Sequence, residues 1–173
     1  MQEIDIDTEG LSVSSGDSAQ YLTFILGSKV YGLEILNIKE IIEYGDVTDV
    51  PMMPDFISGV INLRGSVVPV IDLSKRFTGK STPHTKRTSI IILEVTNEDL
   101  RIEVGVTVDM VNEVLDIHEN DIEPSPDLGS QIQTSFICGM AKVEGKLLIL
   151  LDIKNVLSVD ELSQVGGVQS MVT

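Results

Sequence analysis

An internal duplication constrains the fold of this chain more than any other feature of its sequence. Residues 32–43 match residues 105–116 in their apolar positions at an offset of 73. Residues 59–65 match residues 139–145 at an offset of 80, so the second copy carries seven additional residues. The repeat predicts two similar units of roughly seventy residues, and units of that size need mutual packing to be stable. The groove between the units is the binding surface that this arrangement predicts.

The pattern within each copy is that of short strands. Hydrophobic residues make up 42% of the chain and aromatic residues only 4%, so the core has to be built from Val, Ile and Leu, which favours strands. Apolar runs bounded by Gly, Pro, Asn or Asp predict strands at 21–26, 29–34, 40–44, 59–63, 67–71, 89–95, 101–108, 111–117, 138–143 and 146–151. The strand spacing predicts an all-β fold of barrels or a sandwich, and the repeat favours two similar small barrels.

Helices are expected only in short pieces and at the C-terminus. Asp72 and Asp152 each follow an apolar run and are placed to cap a short helix. Residues 1–18 are acidic and rich in Ser and Gly, which predicts a disordered tail. The expected organisation is this tail, a folded region of two barrels at 19–158, and a C-terminal helix or tail at 159–173, with the helix at about 159–165.

Charge and composition exclude several classes of partner. The net charge of -15 repels nucleic acid and anionic lipid, and the basic residues between Lys75 and Arg87 are interspersed with turn residues that predict a solvated loop. No apolar run is long enough to cross a bilayer, which predicts a cytoplasmic protein. The single cysteine, Cys138, lies in an apolar stretch and is predicted to be a buried hydrophobe.

The common catalytic and cofactor motifs are missing from the sequence. The two histidines, His84 and His118, have no partner at metal-ligand spacing, and no glycine-rich nucleotide loop is present. Asp72 and Asp152, one in each copy, suggest the carboxylate pair of a duplicated-barrel aspartic-type hydrolase. The residues that follow them lack the Asp-Thr/Ser-Gly pattern, so helix capping is favoured and no cofactor, metal or catalytic residue is predicted.

One segment resembles a known family. Asn62-Leu-Arg-Gly65 followed by Val68-Pro-Val-Ile-Asp-Leu73 is similar to the signature of the CheW-like domains of bacterial chemotaxis. Further similar stretches lie at 31–35, 38–41, 54–60 and 104–111, and the match runs from about Tyr21 to Leu157.

The resemblance implies a two-lobed adaptor, built of two small SH3-like β-barrels, without catalytic activity. Such proteins bind the cytoplasmic tips of methyl-accepting chemoreceptors and the regulatory domain of the histidine kinase CheA. The resemblance places receptor contacts on six residues, with a pair between the glutamate and the arginine among them: Ile38, Glu40, Gly59, Arg64, Val111 and Val114. It places kinase contacts at the barrel ends and in the inserted turn, at Ile122 and Leu128.

The sequence and this resemblance together predict a chemotaxis scaffold, monomeric in isolation and recruited to membrane-associated receptor arrays. Glu123 and Leu128 stand where some relatives carry a basic residue and an aromatic one. Two alternatives are a regulatory CheW-like module of a kinase or related signalling protein, and the hydrolase described above. The sequence leaves open whether strands are exchanged between the two barrels.

Overall fold

The chain folds into two β-sheets that share one hydrophobic core. The computed structural model describes residues 18–97, 100–123 and 137–152. The expected acidic tail, the inserted turn with Leu128 and the expected C-terminal helix all lie outside these residues, so their structure stays a prediction.

The first sheet has six strands in the order β9-β10-β11-β2-β1-β8. All neighbours are antiparallel except β2 and β11, which run parallel. The strands are β1 Ser18–Leu26, β2 Lys29–Glu34, β8 Met110–His118, β9 Ile122–Glu123, β10 Ile137–Val143 and β11 Lys146–Leu151.

The second sheet has five strands in the order β3-β6-β7-β5-β4. Here the parallel pair is β5 and β7, and the other neighbours are antiparallel. The strands are β3 Ile38–Glu43, β4 Ile57–Leu63, β5 Ser66–Asp72, β6 Ser89–Asn97 and β7 Leu100–Val108. The division into two sheets and the predominance of strands confirm the all-β prediction.

Helical structure is confined to short pieces in the described part of the chain. The α-helix α1 spans Leu73–Thr78, and 3-10 turns span Ile35–Asn37 and Glu119–Asp121. Asp72 caps α1 as predicted, because its carboxylate accepts a hydrogen bond from the backbone N–H of Lys75. None of the described helices is long and apolar enough to span a membrane.

The duplication seen in the sequence is present in the strand register. Gly32 in β2 faces Leu150 in β11, and the corresponding Gly105 in β7 faces Val70 in β5. The hairpins β4–β5 and β10–β11 also share a register shift at the same place, before Gly59 and before Gly139. The two halves therefore repeat their backbone irregularities as well as their apolar pattern.

The two copies exchange hairpins. The β1–β2 hairpin comes from the first copy, but it pairs with β8 and β11 of the second copy. The β6–β7 hairpin comes from the second copy, but it pairs with β3 and β5 of the first. Each sheet is therefore built from both copies, and the chain crosses between the sheets after β2 and again after β7.

The buried side chains form three groups, two within single sheets and one between the sheets. Tyr21 and Leu150 belong to a small cluster inside the six-stranded sheet, and Val70 and Ile90 to one inside the five-stranded sheet. The largest group, here called the shared core, takes side chains from both sheets. Its members include Phe24, Tyr31, Leu33, Ile71, Ile91, Leu93, Val104, Val106, Met140 and Ile149. Burial on this scale couples the two sheets, because each removes the other's apolar face from water.

The proline of β5 is accommodated at the start of a ladder. Pro69 predicts an open sheet edge, since it has no backbone N–H to donate. β5 instead lies inside the sheet, between β4 and β7. Its parallel pairing with β7 begins only at Val70, so the proline precedes that ladder and does not interrupt it.

Candidate functional site

Arg64 is displayed at the tip of a two-residue hairpin turn. β4 ends at Leu63, which pairs with Ser66 at the start of β5. Between them, Arg64 and Gly65 have φ values of 52° and 89°. Two successive positive φ values suit the right-handed twist of a hairpin, and glycine at the second position makes the turn accessible. The backbone N–H of Gly65 also donates to Oδ1 of Asn62 over 2.9 Å. Because it stands at the tip of this hairpin, the Arg64 side chain is 74% exposed.

Glu40 is the partner of this arginine. Nη2 of Arg64 donates to Oε1 of Glu40 over 2.7 Å, which joins the β4–β5 turn to strand β3. The hydrogen bond to Glu40 and the carboxylate charge raise the pKa of Arg64. The predicted pairing of these two side chains is present. Because the pair is exposed, it contributes little to folding and more to the orientation of a partner.

A second ion pair lies beside the first. Nζ of Lys39 donates to Oε2 of Glu103 over 2.7 Å, and this hydrogen bond raises the pKa of Lys39. The charge of Glu103 also acts on Arg64, so the four side chains form one charged cluster across β3, β7 and the β4–β5 turn. Sequence reasoning missed Lys39 and Glu103, which are 64 positions apart. Only the pairing of β6 with both β3 and β7 brings them together.

Gly59 is buried at a place where the backbone at Thr48 comes close to β4. The N–H groups of Thr48 and Val60 each donate to the other's carbonyl over 2.8 Å, which holds the segment after β3 against β4. A Cβ atom on Gly59 would overlap the carbonyl oxygen of Thr48, and the φ of Gly59 is +153°. Gly59 is therefore needed for the close approach of this segment to β4, the strand that leads to the turn with Arg64.

The apolar site residues occupy equivalent positions in the two copies. Ile38 on β3 and Val111 on β8 are half-buried, and both pack against the shared core. Val114 on β8 is 50% exposed, and its counterpart in the first copy, Ile41 on β3, is 43% exposed. Ile41 is a candidate contact that sequence reasoning missed, although the 73-residue offset of the repeat leads from Val114 to it.

The six predicted receptor contacts are therefore shared between the sheets. Ile38, Glu40, Gly59 and Arg64 belong to the five-stranded sheet and its turn, whereas Val111 and Val114 lie on β8 of the six-stranded sheet. Glu40 and Arg64 touch directly, and the two half-buried apolar residues meet the same core from opposite sheets.

Only one of the two predicted kinase contacts lies in the described part of the chain. Ile122 is on β9, where it is half-buried and packs against the small cluster of the six-stranded sheet. Its Cγ2 atom leaves no space for a side chain on Gly139 of the neighbouring strand β10. Ile122 therefore helps to hold β9 on β10, and only part of it faces outward. Leu128 lies outside the described residues.

A groove is present between elements of the two sheets, at a different place from the predicted receptor contacts. It measures about 840 Å³ and is bounded by the β1–β2 turn on one side and by α1 and the following loop on the other. We call it the α1 groove. Its lining within the described residues includes none of the predicted receptor or kinase contacts.

The two aspartates of the hydrolase alternative have different surroundings. The carboxylate of Asp72 accepts hydrogen bonds from the N–H and hydroxyl of Thr82, over 2.8 and 2.6 Å, and from the N–H of Lys75 over 3.2 Å. Both of its oxygens are thus committed to holding α1 and the following loop. Asp152 follows β11 in the other sheet. The geometry of Asp72 favours the capping interpretation.

The prediction that Cys138 is a buried hydrophobe is wrong. This residue is exposed on β10 and not buried in the core. Desolvation by its remaining contacts and the charge of Asp152 raise the pKa of its thiol, which opposes a role as a nucleophile. Among the described residues, no group of three or more His, Cys, Asp or Glu side chains is arranged to hold a metal ion.

Comparison with known proteins gives a consistent set of relatives. The family model described as the CheW-like domain matches residues 20–161. The chemotaxis protein CheW of Klebsiella aerogenes is 38% identical over 149 residues, which are 86% of this chain and 87% of that protein. The chemotaxis protein CheW of Bacillus subtilis is 39% identical over 137 residues, 79% of this chain and 85% of that protein.

A solved structure shows the same fold. The scaffolding protein TtCheW of Thermoanaerobacter tengcongensis superposes with a TM-score of 0.74 at 36% sequence identity. The alignment covers 84% of this chain and 91% of the other.

Proposed function

Because this chain belongs to the CheW-like domain family, we propose that it is a chemotaxis adaptor that couples methyl-accepting receptors to the histidine kinase CheA. Its relatives are named chemotaxis proteins and a scaffolding protein, and none of these names describes an enzyme. The chain acts by binding two partners at once. No bond is made or broken in this mechanism.

The Arg64–Glu40 pair is the observation that carries the proposal. The duplicated half reproduces the β4–β5 turn but not its arginine, since Glu144 and Gly145 stand there with φ values of 53° and 77°. An exposed guanidinium already oriented by a carboxylate presents its remaining N–H groups in a fixed direction. Such a group suits recognition of a partner's polar side chains better than it suits stabilisation of the fold.

The apolar part of the receptor surface is supplied by both sheets. Ile38 and Val111 are fixed against the shared core, and Val114 and Ile41 extend into solvent beside them on the same strands. A helix of the receptor tip with apolar residues on one face is the partner that such a surface fits. The charged cluster then sets its orientation.

The kinase contacts are proposed at Ile122 on β9 and at Leu128 in the inserted turn. Separate sets of contact residues for the receptor and the kinase would allow one chain to hold both partners. Recruitment to membrane-associated receptor arrays follows, and each individual contact can be weak because the array is multivalent.

Co-purification tests the proposal. The purified chain is immobilised and offered a receptor tip fragment and a CheA regulatory domain, first separately and then together. We expect each partner to be retained alone and a three-part complex to form when both are present. Retention of neither partner would contradict the proposal, and mutual competition would contradict the separation of the receptor contacts from the kinase contacts.

A further inference from the structure

The α1 groove combines an apolar floor with a positively charged rim. The apolar side chains that line it are Leu26, Tyr31, Phe77 and Pro83, and the positively charged ones at its rim are Lys29 and Lys80. The half-buried ring of Phe77 packs over the buried ring of Tyr31, with 5.9 Å between the ring centroids, so Phe77 is the aromatic side chain that faces the groove. A groove of this kind fits a segment with apolar residues on one side and carboxylates on the other.

The two lysines of the rim are available for such a segment. Lys29 and Lys80 are exposed, and within the described part of the chain neither forms an ion pair, in contrast to Lys39 and Arg64. The groove also contains the carboxylate of Asp109. Its Oδ2 atom accepts a hydrogen bond from the N–H of Gly27 over 2.8 Å, and its Oδ1 atom is buried without a hydrogen-bond partner in the described part of the chain.

The N-terminal segment of this chain has the required pattern. Residues 3–7 read Glu-Ile-Asp-Ile-Asp, in which carboxylates alternate with isoleucines. In an extended conformation Ile4 and Ile6 point to one side and the three acids point to the other. The C-terminal residues 153–173 have no comparable run, since their only acids are the neighbouring Asp160 and Glu161.

The length of chain between this segment and the fold is sufficient. β1 begins at Ser18 and reaches the groove at its last residue, Leu26, which corresponds to about 27–30 Å of strand. The ten residues 8–17 that join the acidic segment to Ser18 span at most about 33–36 Å when extended. The segment can therefore run back along β1 and reach the groove of the same molecule.

From the charge complementarity, the alternation and the reach, we propose that residues 3–7 occupy the α1 groove of their own chain. Ile4 and Ile6 cover the half-buried ring of Phe77 beside Pro83, and the three carboxylates lie against Lys29 and Lys80. The contact is intramolecular and partly electrostatic, so it weakens with added salt. It is independent of the proposed adaptor function, because the groove contains none of the proposed receptor or kinase contacts among the described residues.

Paramagnetic relaxation in solution tests this docking. A nitroxide is attached to the full chain through Gln2→Cys in a Cys138→Ser background, which removes the exposed native thiol. The expected result is selective broadening of the backbone amide signals of Gly27, Lys29 and Lys80 in an isotope-labelled sample. Uniform weak broadening over the whole surface, or broadening centred elsewhere, would overturn the proposal.

Charge variants separate docking from chance proximity. The double change Lys29→Glu and Lys80→Glu is expected to abolish the selective broadening, whereas the matched change Lys142→Glu and Lys146→Glu on the β10–β11 hairpin leaves it intact. Conversion of Glu3, Asp5 and Asp7 to lysine in the Lys29→Glu, Lys80→Glu chain should restore it. The charge pairing would be contradicted if the selective broadening persisted in the Lys29→Glu, Lys80→Glu chain. It would also be contradicted if the lysine substitutions at Glu3, Asp5 and Asp7 failed to restore the broadening in a folded chain.

A mixed sample identifies the source of the segment. Isotope-labelled chain without nitroxide is combined with unlabelled chain that carries it. An intramolecular contact gives no selective broadening in this mixture. Broadening of the same amides here would show that the groove accepts the segment of a second copy, which would overturn the proposal in its stated form.

Discussion

The guanidinium of Arg64 and the carboxylate of Glu40 are joined over 2.7 Å although they belong to different structural units, a hairpin turn and an edge strand. The turn gives Arg64 its position, and β3 gives Glu40 its position. Neither side chain is needed by the core. The pair therefore forms only when β3 and β4 are placed correctly relative to each other. It lies at the surface, where a partner can contact it.

Reversal of the charge at this pair separates recognition from folding. Arg64→Asp is expected to leave the melting temperature within a few degrees of the unmodified chain, because exposed ion pairs contribute little to stability. Binding of the receptor tip fragment should fall by about tenfold or more. The swapped pair Arg64→Glu with Glu40→Arg serves as the control for geometry. Wild-type receptor binding by Arg64→Asp would remove the residue from the site.

The exposed apolar positions of β3 and β8 should contribute to the same interaction. Ile41→Ser and Val114→Ser are each expected to weaken receptor binding by about tenfold, which corresponds to about 1.4 kcal/mol. Leu147→Ser is the matched control, since Leu147 is also 50% exposed but lies at the start of β11. Calorimetric titration with the receptor fragment measures all three. Equal losses at all three positions would point to a general loss of surface hydrophobicity.

Gly59→Ala should destabilise the fold. The added Cβ overlaps the Thr48 carbonyl at a backbone position with φ of +153°, so β4 has to move or the Thr48–Val60 hydrogen bonds have to break. We expect a loss of about 2 kcal/mol or more in the free energy of unfolding, measured in urea. Gly45→Ala is the control, because a Cβ there meets nothing within 4 Å. Identical midpoints for the two variants would refute the close-approach explanation.

The hydroxyl of Thr82 should stabilise the loop after α1. Thr82→Val removes a 2.6 Å hydrogen bond to the carboxylate of Asp72 while it retains the side-chain shape. A hydrogen bond to a charged group of this kind contributes about 1.5–3 kcal/mol, so the urea midpoint should decrease accordingly. Thr96→Val on β6, where the side chain is exposed, should change stability by no more than about 0.5 kcal/mol.

The inserted turn should matter to the kinase and not to the receptor. Leu128→Ser is expected to weaken retention of the CheA regulatory domain and to leave retention of the receptor fragment unchanged. Parallel pull-down assays with the two partners measure the difference. A similar loss of both would mean that Leu128 acts through the fold.

Local sequence was sufficient for most of the strands and for the capping role of Asp72, because turn residues and apolar alternation act over a few positions. It also pointed to the Glu40–Arg64 pair through the family resemblance. It failed for Cys138, whose apolar neighbours in sequence do not bury it, and for Lys39 and Glu103, which meet only through strand register. Burial and register depend on strands that are distant in sequence.

The sequence by itself determined that there are two similar halves with the same apolar pattern. It did not determine which hairpin pairs with which half. Because the two copies carry the same apolar pattern, the β1–β2 and β6–β7 hairpins present equivalent edges to either set of strands. Only the tertiary structure shows the exchanged arrangement, in which β2 pairs with β11 and β7 pairs with β5. That exchange makes each sheet incomplete without both copies, so the two sheets fold around a single shared core.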